Sequence, residues 1–212
     1  MHRAFLLILA LTIAACTDRG ATILTPEAAK IGTLHRVFIA TERMPAENGW
    51  FDASRSEERR FLSVDVSVPP DHSKGRIRAG YARPDPNRNF TIATRTDLSD
   101  QPAFKSALRR NIQAQPRRER EVVVYVHGYN NSFLDGVYRT AQLMHDFDLP
   151  GTAVHFAWPS AAHPLGYTYD RDSLLIAELR ESQEVLFEHP RQLRPLQPRE
   201  PIVLEVEIHE RL

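Results

Sequence analysis

The spacing of apolar residues predicts that strands form the first folded part of the chain. Residues 61–68 read FLSVDVSV, and this alternation of apolar and polar side chains is typical of a half-buried strand. Residues 34–41 and 90–94 are predicted as two further strands. The remaining stretches of this part are polar or bear glycine and proline, and they predict loops over residues 42–60 and 73–89, with a short strand near residues 76–81.

The second half of the chain alternates strand and helix patterns. Val122–Val126 is apolar without alternation, which predicts a strand that is covered on both faces. A helix follows that Asn131 or Ser132 can cap, and then comes a strand over residues 153–158. This order predicts a right-handed βαβ unit with a parallel sheet. The apolar face of the helix comprises Phe133, Val137, Ala141, Met144 and Phe147.

Two more helices are predicted on either side of this unit. Asp100 and Pro102 are typical of a helix start, and Asp170 or Asp172 can cap the last helix. Residues 116–121 are charged and predict a loop. The apolar face of the earlier helix comprises Phe104, Ala107, Leu108 and Ile112.

The first sixteen residues indicate export rather than fold. Arg3 precedes the apolar run Ala4–Ile13, which is too short to be a permanent transmembrane helix. The segment Ile-Ala-Ala-Cys that ends at Cys16 resembles a bacterial lipobox, so we expect cleavage before Cys16 and acylation of its thiol; a plain secretory signal is the alternative. Thr17 follows the cysteine instead of Asp, which by resemblance favours an anchor in the outer membrane of the cell envelope, facing the periplasm.

Composition excludes several classes of partner and site. The formal net charge of +0 gives no reason to expect nucleic acid as a partner. The single cysteine excludes an internal disulfide framework and a multi-cysteine metal site. The pairs His145/Asp146 and Asp170/Asp172 match no strong ligand spacing, so we expect no metal site.

His127 begins the most informative segment, His-Gly-Tyr-Asn-Asn-Ser, which predicts a turn from a strand into a helix start. Together with other segments in the same order over residues 35–175, it resembles a bacterial α/β-hydrolase-fold family of undefined function, often described as esterase- or lipase-like. The matching segments are residues 36–43, 66–72, 124–133, 139–146, 156–160 and 165–173.

The resemblance implies an α/β-hydrolase-like fold of three layers with a mostly parallel sheet. It also implies hydrolysis of small acyl esters by a serine nucleophile, a histidine base and an acid, without a cofactor. Backbone N–H groups of the loop formed by His127, Gly128, Tyr129 and Asn130 would stabilise the oxyanion, at about 3 kcal/mol per donor. His127 is expected to shape this loop rather than to transfer a proton.

The serine nucleophile of the family has no counterpart in this sequence. No Gly-x-Ser-x-Gly segment occurs, and residues 178–212 contain no glycine, although the turn that carries the nucleophile needs small residues around it. Ser132 is expected to cap a helix. Ser160, near His155 and His163 in the sequence, is an alternative nucleophile.

These patterns predict a lipoprotein signal peptide (residues 1–15), a tether (16–33), a partial α/β-hydrolase domain that is incomplete on its carboxyl side (34–188) and a divergent tail (189–212). Three hypotheses remain: a truncated and catalytically impaired ester hydrolase, a non-catalytic envelope lipoprotein that binds or attaches other molecules, and a hydrolase built on Ser160 or on a partner chain. The two parallel strands would each lack a neighbour on one side, which predicts marginal stability or self-association.

Overall fold

The computed structural model describes residues 21–82 and 84–188, with side chains as far as residue 177. The strands are β1 (Thr33–Pro45), β2 (Phe51–Val68), β3 (Thr91–Leu98), β4 (Val122–Val126) and β5 (Thr152–Ala157). The helices are α1 (Gln101–Ala114), α2 (Phe133–Asp146) and α3 (Tyr167–Glu188), with short 3₁₀ turns at Pro26–Lys30 and Arg117–Glu119.

The five strands form one sheet in the order β3-β2-β1-β5-β4. The pairs β1–β2 and β2–β3 are antiparallel, and the pairs β1–β5 and β4–β5 are parallel. The predicted α/β class is therefore confirmed, as is the parallel pairing of the two strands around α2. The sheet as a whole is mixed, because the amino-terminal strands join it as antiparallel neighbours.

The loop predicted over residues 42–60 is wrong. β1 runs to Pro45 and β2 begins at Phe51, so the two strands extend as a hairpin that turns at Gly49, where φ is 82°. The polar side chains of this hairpin pair with one another, as in the 2.8 Å contact between Arg59 and Glu42. Trp50 and Phe51 at the turn are buried against Phe133 of α2, so the hairpin joins the core in spite of its polar composition.

Smaller differences concern element boundaries. The short strand expected near residues 76–81 is a single bridge between Ala79 and Phe90. The last helix begins at Tyr167, so Asp170 lies inside its first turn instead of capping it. Residues 21–33, expected as part of a tether, contact the sheet: the Thr25 N–H donates to the carbonyl oxygen of Ile92 at 2.9 Å.

Helix α2 packs with its apolar side on one face of the sheet, as its apolar pattern predicts. Ser132 caps it, and the Ser132 hydroxyl and Asp135 carboxylate form a reciprocal capping box. Gly136 allows a close approach to β5, because a Cβ at this position would lie 2.3 Å from Nε2 of His155. Phe147 falls just beyond the helix and is exposed. The other residues of the predicted face, Phe133, Val137, Ala141 and Met144, are buried.

Strand β4 is not covered on both faces, contrary to the expectation from its apolar run. Within the described residues it is an edge strand, and Val122, Val124 and Val126 are 43%, 57% and 43% exposed. These valines point to the face opposite α2, where α1 packs against Phe38 and Phe61 instead. The expectation that β5 lacks a neighbour is also wrong, since β5 lies between β1 and β4.

Among the described helices, none is long and apolar enough to cross a bilayer. Cys16 and the rest of the predicted signal peptide lie outside the described residues, as does the predicted tail.

Candidate functional site

Strands β1, β4 and β5 run in the same direction, so their carboxyl ends meet at one edge of the sheet. Two loops leave this edge. We call residues 127–132, which follow β4, the His127 loop, and residues 158–166, which follow β5, the Ser160 loop. Ligands of open α/β sheets bind outside the carboxyl ends of the strands, so a binding site is expected at these two loops.

The His127 side chain joins the two loops. Its ring stacks on Trp158 with centroids 4.6 Å apart, and its Nε2 lies 2.9 Å from the carbonyl oxygen of Trp158. The Trp158 indole N–H donates to the backbone oxygen of His127 at 2.7 Å. Burial, followed by the nearby charge of Arg43, lowers the pKa of His127 to about 4. The imidazole is therefore neutral at pH 7 and is held between backbone groups, which suits the expected loop-shaping role.

Ser160 is fully buried and hydrogen-bonded to a carboxylate. Its hydroxyl donates to Asp170 at 2.6 Å and accepts from the N–H of Asn131 at 3.2 Å. The same Asp170 carboxylate accepts from the N–H groups of Ala161 at 2.6 Å and Asn130 at 3.1 Å. Ser160 and Asp170 thus bind the two loops to the first turn of α3.

Arg43 supports the same loops from the end of β1. A register shift after Thr41 marks a bulge, which can redirect the side chain that follows it. The guanidinium donates to the carbonyl oxygens of Asn131 at 2.8 Å and Ser160 at 3.1 Å. Burial lowers the pKa of Arg43 to about 10, against the opposing effect of Asp170, so the side chain stays charged at neutral pH.

The backbone N–H groups of the His127 loop fall into two sets. Those of Asn130 and Asn131 are taken by Asp170 and Ser160. Those of Gly128 and Tyr129 have no hydrogen-bond partner within the described part of the chain. Gly128 is exposed, and a Cβ there would meet nothing within 4 Å. The tip of the loop therefore offers unoccupied donors next to open space.

Aromatic and apolar side chains surround this tip. Tyr129 and Tyr167 are 40% and 64% exposed, with ring centroids 5.9 Å apart, and Leu165 is 86% exposed. The Tyr129 hydroxyl donates to the backbone oxygen of His163 at 3.2 Å, which ties the His127 loop to the Ser160 loop on the outside as well.

The structure separates the other sequence candidates from the loop tip. His155 is buried beneath α2, and burial lowers its pKa to about 3. Nδ1 of His163 accepts from the N–H of Leu165. In the described residues no histidine ring is hydrogen-bonded to Ser160, whose hydroxyl donates to the Asp170 carboxylate instead, so the arrangement around Ser160 lacks a histidine base. The prediction of an oxyanion loop at residues 127–130 stays a prediction.

Sequence reasoning missed Arg43 and the role of Asp170. Arg43 lies in a stretch that is predicted as a loop, and the sequence offers Asp170 only as a helix cap or as half of a weak metal-ligand pair with Asp172. The order of charged and small residues gives no local signal for either role. Both roles depend on loops that come together only in the folded chain.

A second polar cluster lies at the amino ends of the parallel strands; we call it the amino-end cluster. Nε2 of His35 on β1 lies 3.1 Å from Nδ1 of His145 near the end of α2, and His72 contacts the Asp146 carboxylate at 2.5 Å. Asp146 also accepts from the N–H of Gly75 at 2.7 Å. In the part of the chain that the structure describes, no three such side chains are arranged to hold a metal ion.

Comparison with known proteins places the two loops within a recognised family pattern. A family model described as alpha/beta hydrolase of unknown function matches residues 100–203. The match includes α1, β4, α2, β5 and the two loops. No curated protein and no solved structure matches the chain.

Proposed function

We propose that the protein is an esterase- or lipase-like α/β hydrolase that binds small acyl esters at the tip of the His127 loop, with impaired turnover. The observation that carries the proposal is the pair of unoccupied N–H groups at Gly128 and Tyr129, next to open space at the carboxyl ends of the parallel strands. Donors placed in this way stabilise a carbonyl oxygen as it becomes negative.

Turnover is expected to be slow because the groups for nucleophilic attack are missing from the described residues. Ser160 is fully buried, and its hydrogen-bond partners are Asp170 and backbone N–H groups. A hydrolase that loses its catalytic triad keeps roughly 10³-fold acceleration from oxyanion stabilisation and binding. A residual rate of about this order is what the proposed loop can supply.

A p-nitrophenyl ester assay on the mature chain, with a fluorophosphonate probe in parallel, tests the proposal. We expect slow, saturable hydrolysis that the probe does not abolish, and no labelled serine. The same protein unfolded in urea is the control. A folded sample no faster than the unfolded one would contradict ester hydrolysis, and covalent labelling of one serine would contradict the impaired turnover.

The second candidate is a non-catalytic lipoprotein that binds an acyl group or attaches to other envelope molecules. This candidate is favoured because the backbone N–H groups of Asn130 and Asn131 donate to Asp170 and Ser160, so they are not available to stabilise an oxyanion. This candidate predicts ester binding, measured by calorimetry with a non-hydrolysable ketone analogue, without hydrolysis above the unfolded control.

We also propose that Cys16 is acylated and anchors the protein in the outer membrane, facing the periplasm. The support is the lipobox-like sequence alone. Two acyl chains or more hold a protein firmly, since each buried methylene contributes about 0.8 kcal/mol. Metabolic labelling with an alkynyl fatty acid should mark the wild type but not Cys16→Ser, and an unlabelled wild type would refute the anchor.

A further inference from the structure

Each of the two loops at the carboxyl edge contains one residue in the left-handed backbone region. Asn130 in the His127 loop and Ala162 in the Ser160 loop have φ angles of 57° and 52°. Asparagine tolerates this region, whereas alanine adopts it only where the surrounding structure fixes the chain. Contacts around the Ser160 loop must therefore hold it in place.

The groups that hold the two loops converge on one carboxylate. The N–H of Ala161, the hydroxyl of Ser160 and the N–H of Asn130 all donate to Asp170, at 2.6, 2.6 and 3.1 Å. The donors come from two different loops, and the acceptor comes from α3. Backbone N–H groups that converge in this way form a concave anion-binding site.

Arg43 supplies the matching positive charge. It is 1% exposed, its guanidinium is bonded to the carbonyl oxygens of Asn131 and Ser160, and its Nε has no hydrogen-bond partner among the described residues. The charge of Asp170 is the strongest of the nearby charges that favour the protonated guanidinium. The loops are therefore held by a cation through their carbonyl groups and by an anion through their N–H groups.

We infer that the two loops form an anion-binding site whose occupant is the carboxylate of Asp170, and that this internal anion determines which N–H groups the His127 loop presents outward. Asp170 takes the Asn130 N–H, and Ser160, held by Asp170, takes the Asn131 N–H. The backbone N–H groups of Gly128 and Tyr129 are not taken by either side chain. Asp170 is thus a positioning residue. Its relevance to ester binding rests on the proposed function, whereas the anion site does not.

Chemical rescue tests the site without any activity assay. Asp170→Ala should lower the melting temperature by roughly 5–10 °C, because one buried and two partly buried donors lose their acceptor. Sodium formate should restore a large part of this loss, and sodium chloride at equal ionic strength should not. Asp172→Ala is the matched control: this neighbouring side chain is 51% exposed, and its melting temperature should not depend on the choice of salt.

Hydrogen exchange provides the second measurement. In Asp170→Ala the amides of residues 127–132 and 158–166 should lose protection together, and formate should restore both loops together. A contact that merely stabilises the start of α3 would not respond to formate. Equal effects of formate and chloride, or loss of protection in only one loop, would overturn the inference.

Asp170→Asn, which keeps the side-chain volume, is the second variant in case Asp170→Ala does not fold. Asp170→Asn presents an amide N–H₂ group to donors that require an acceptor, so it should also melt below the wild type, by several degrees. If Asp170→Asn melts at the wild-type temperature, the carboxylate is not required and the inference is wrong. Because none of these readouts is catalytic, absence of esterase activity would leave them fully interpretable.

Discussion

Two polar networks connect the strands to their neighbours at the opposite ends of the parallel sheet, and they differ in the charged group at their centre. The carboxyl-end network of Arg43, Ser160 and Asp170 is centred on a guanidinium that stays charged at neutral pH. The amino-end cluster consists largely of imidazole rings, and burial lowers the pKa of His35 to about 4. The charge at the centre of the carboxyl-end network therefore stays constant in mild acid, whereas the groups of the amino-end cluster change their protonation.

Among substitutions in the two networks, Arg43→Met should cause the largest loss in the free energy of unfolding. The substitution removes the buried charge near Asp170 and the donor to the carbonyl oxygens of Asp52, Asn131 and Ser160, so we expect a loss of about 3–5 kcal/mol in the free energy of unfolding. Urea denaturation measures it. Arg171→Met, at a side chain 60% exposed, should cost under about 0.5 kcal/mol. A loss for Arg43→Met as small as this control would show that the carboxyl-end network contributes little.

Asp146→Ala should have the largest effect in the amino-end cluster. It removes the acceptor of His72, of the Gly75 N–H and of Gln142, the last two at 2.7 Å, and should cost about 2 kcal/mol. Asp71→Ala breaks an exposed pair with Arg78 and should cost under about 1 kcal/mol. If both variants unfold at the same urea concentration, the amino-end cluster contributes no more to stability than the exposed ion pair does.

Mild acid should destabilise the folded chain in part through His35 of the amino-end cluster. The pKa of His35 falls from 6.5 to about 4 on folding, through burial first and then the charge of His145, so the unfolded chain binds more protons between these values. Stability should therefore decline as the pH drops from 6.5 to 4, by at least about 1 kcal/mol.

Urea unfolding at successive pH values measures this decline, and His35→Asn tests its origin. Because buried His127 and His155 titrate in the same direction, the variant should reduce the slope without abolishing it. An unchanged slope in His35→Asn would show that His35 is not responsible.

The smallest effect is expected at the tip of the His127 loop, which lies outside both networks. Gly128→Ala should change stability by less than about 0.5 kcal/mol, because its Cβ would meet nothing within 4 Å. Gly136→Ala is the contrasting variant, since its Cβ would lie 2.3 Å from Nε2 of His155, and it should cost about 1–3 kcal/mol. Similar costs at both positions would mean that the loop tip is packed rather than open.

The sequence predicts helix ends, buried helix faces and strand order where the local residue pattern agrees with the packing in the folded chain. Ser132 followed by Asp135 is a cap by its chemistry alone, and the 3.6-residue spacing of α2 identifies its buried face. The order of strand, helix and strand around α2 gives the parallel β4–β5 pair for the same reason. Each of these features depends on neighbours in the chain.

Features that depend on distant partners could not be predicted in this way. The apolar run of β4 is the same whether or not something covers its second face, so its exposed valines carry no local signal. The hairpin around Gly49 is held by the Arg59–Glu42 ion pair and by the packing of Phe51 on Phe133, and these contacts appear only once its register is known. Arg43 and Asp170 become a site because three segments far apart in sequence meet.

The stacking of His127 on Trp158 has an optical consequence. The chain has two tryptophans, and Trp158 lies against an imidazole at the junction of the two loops, whereas Trp50 lies beneath the guanidinium of Arg95, 5.0 Å from its carbon. The emission of Trp158 should therefore change when the His127 loop leaves its position, and Trp50→Phe would isolate its signal.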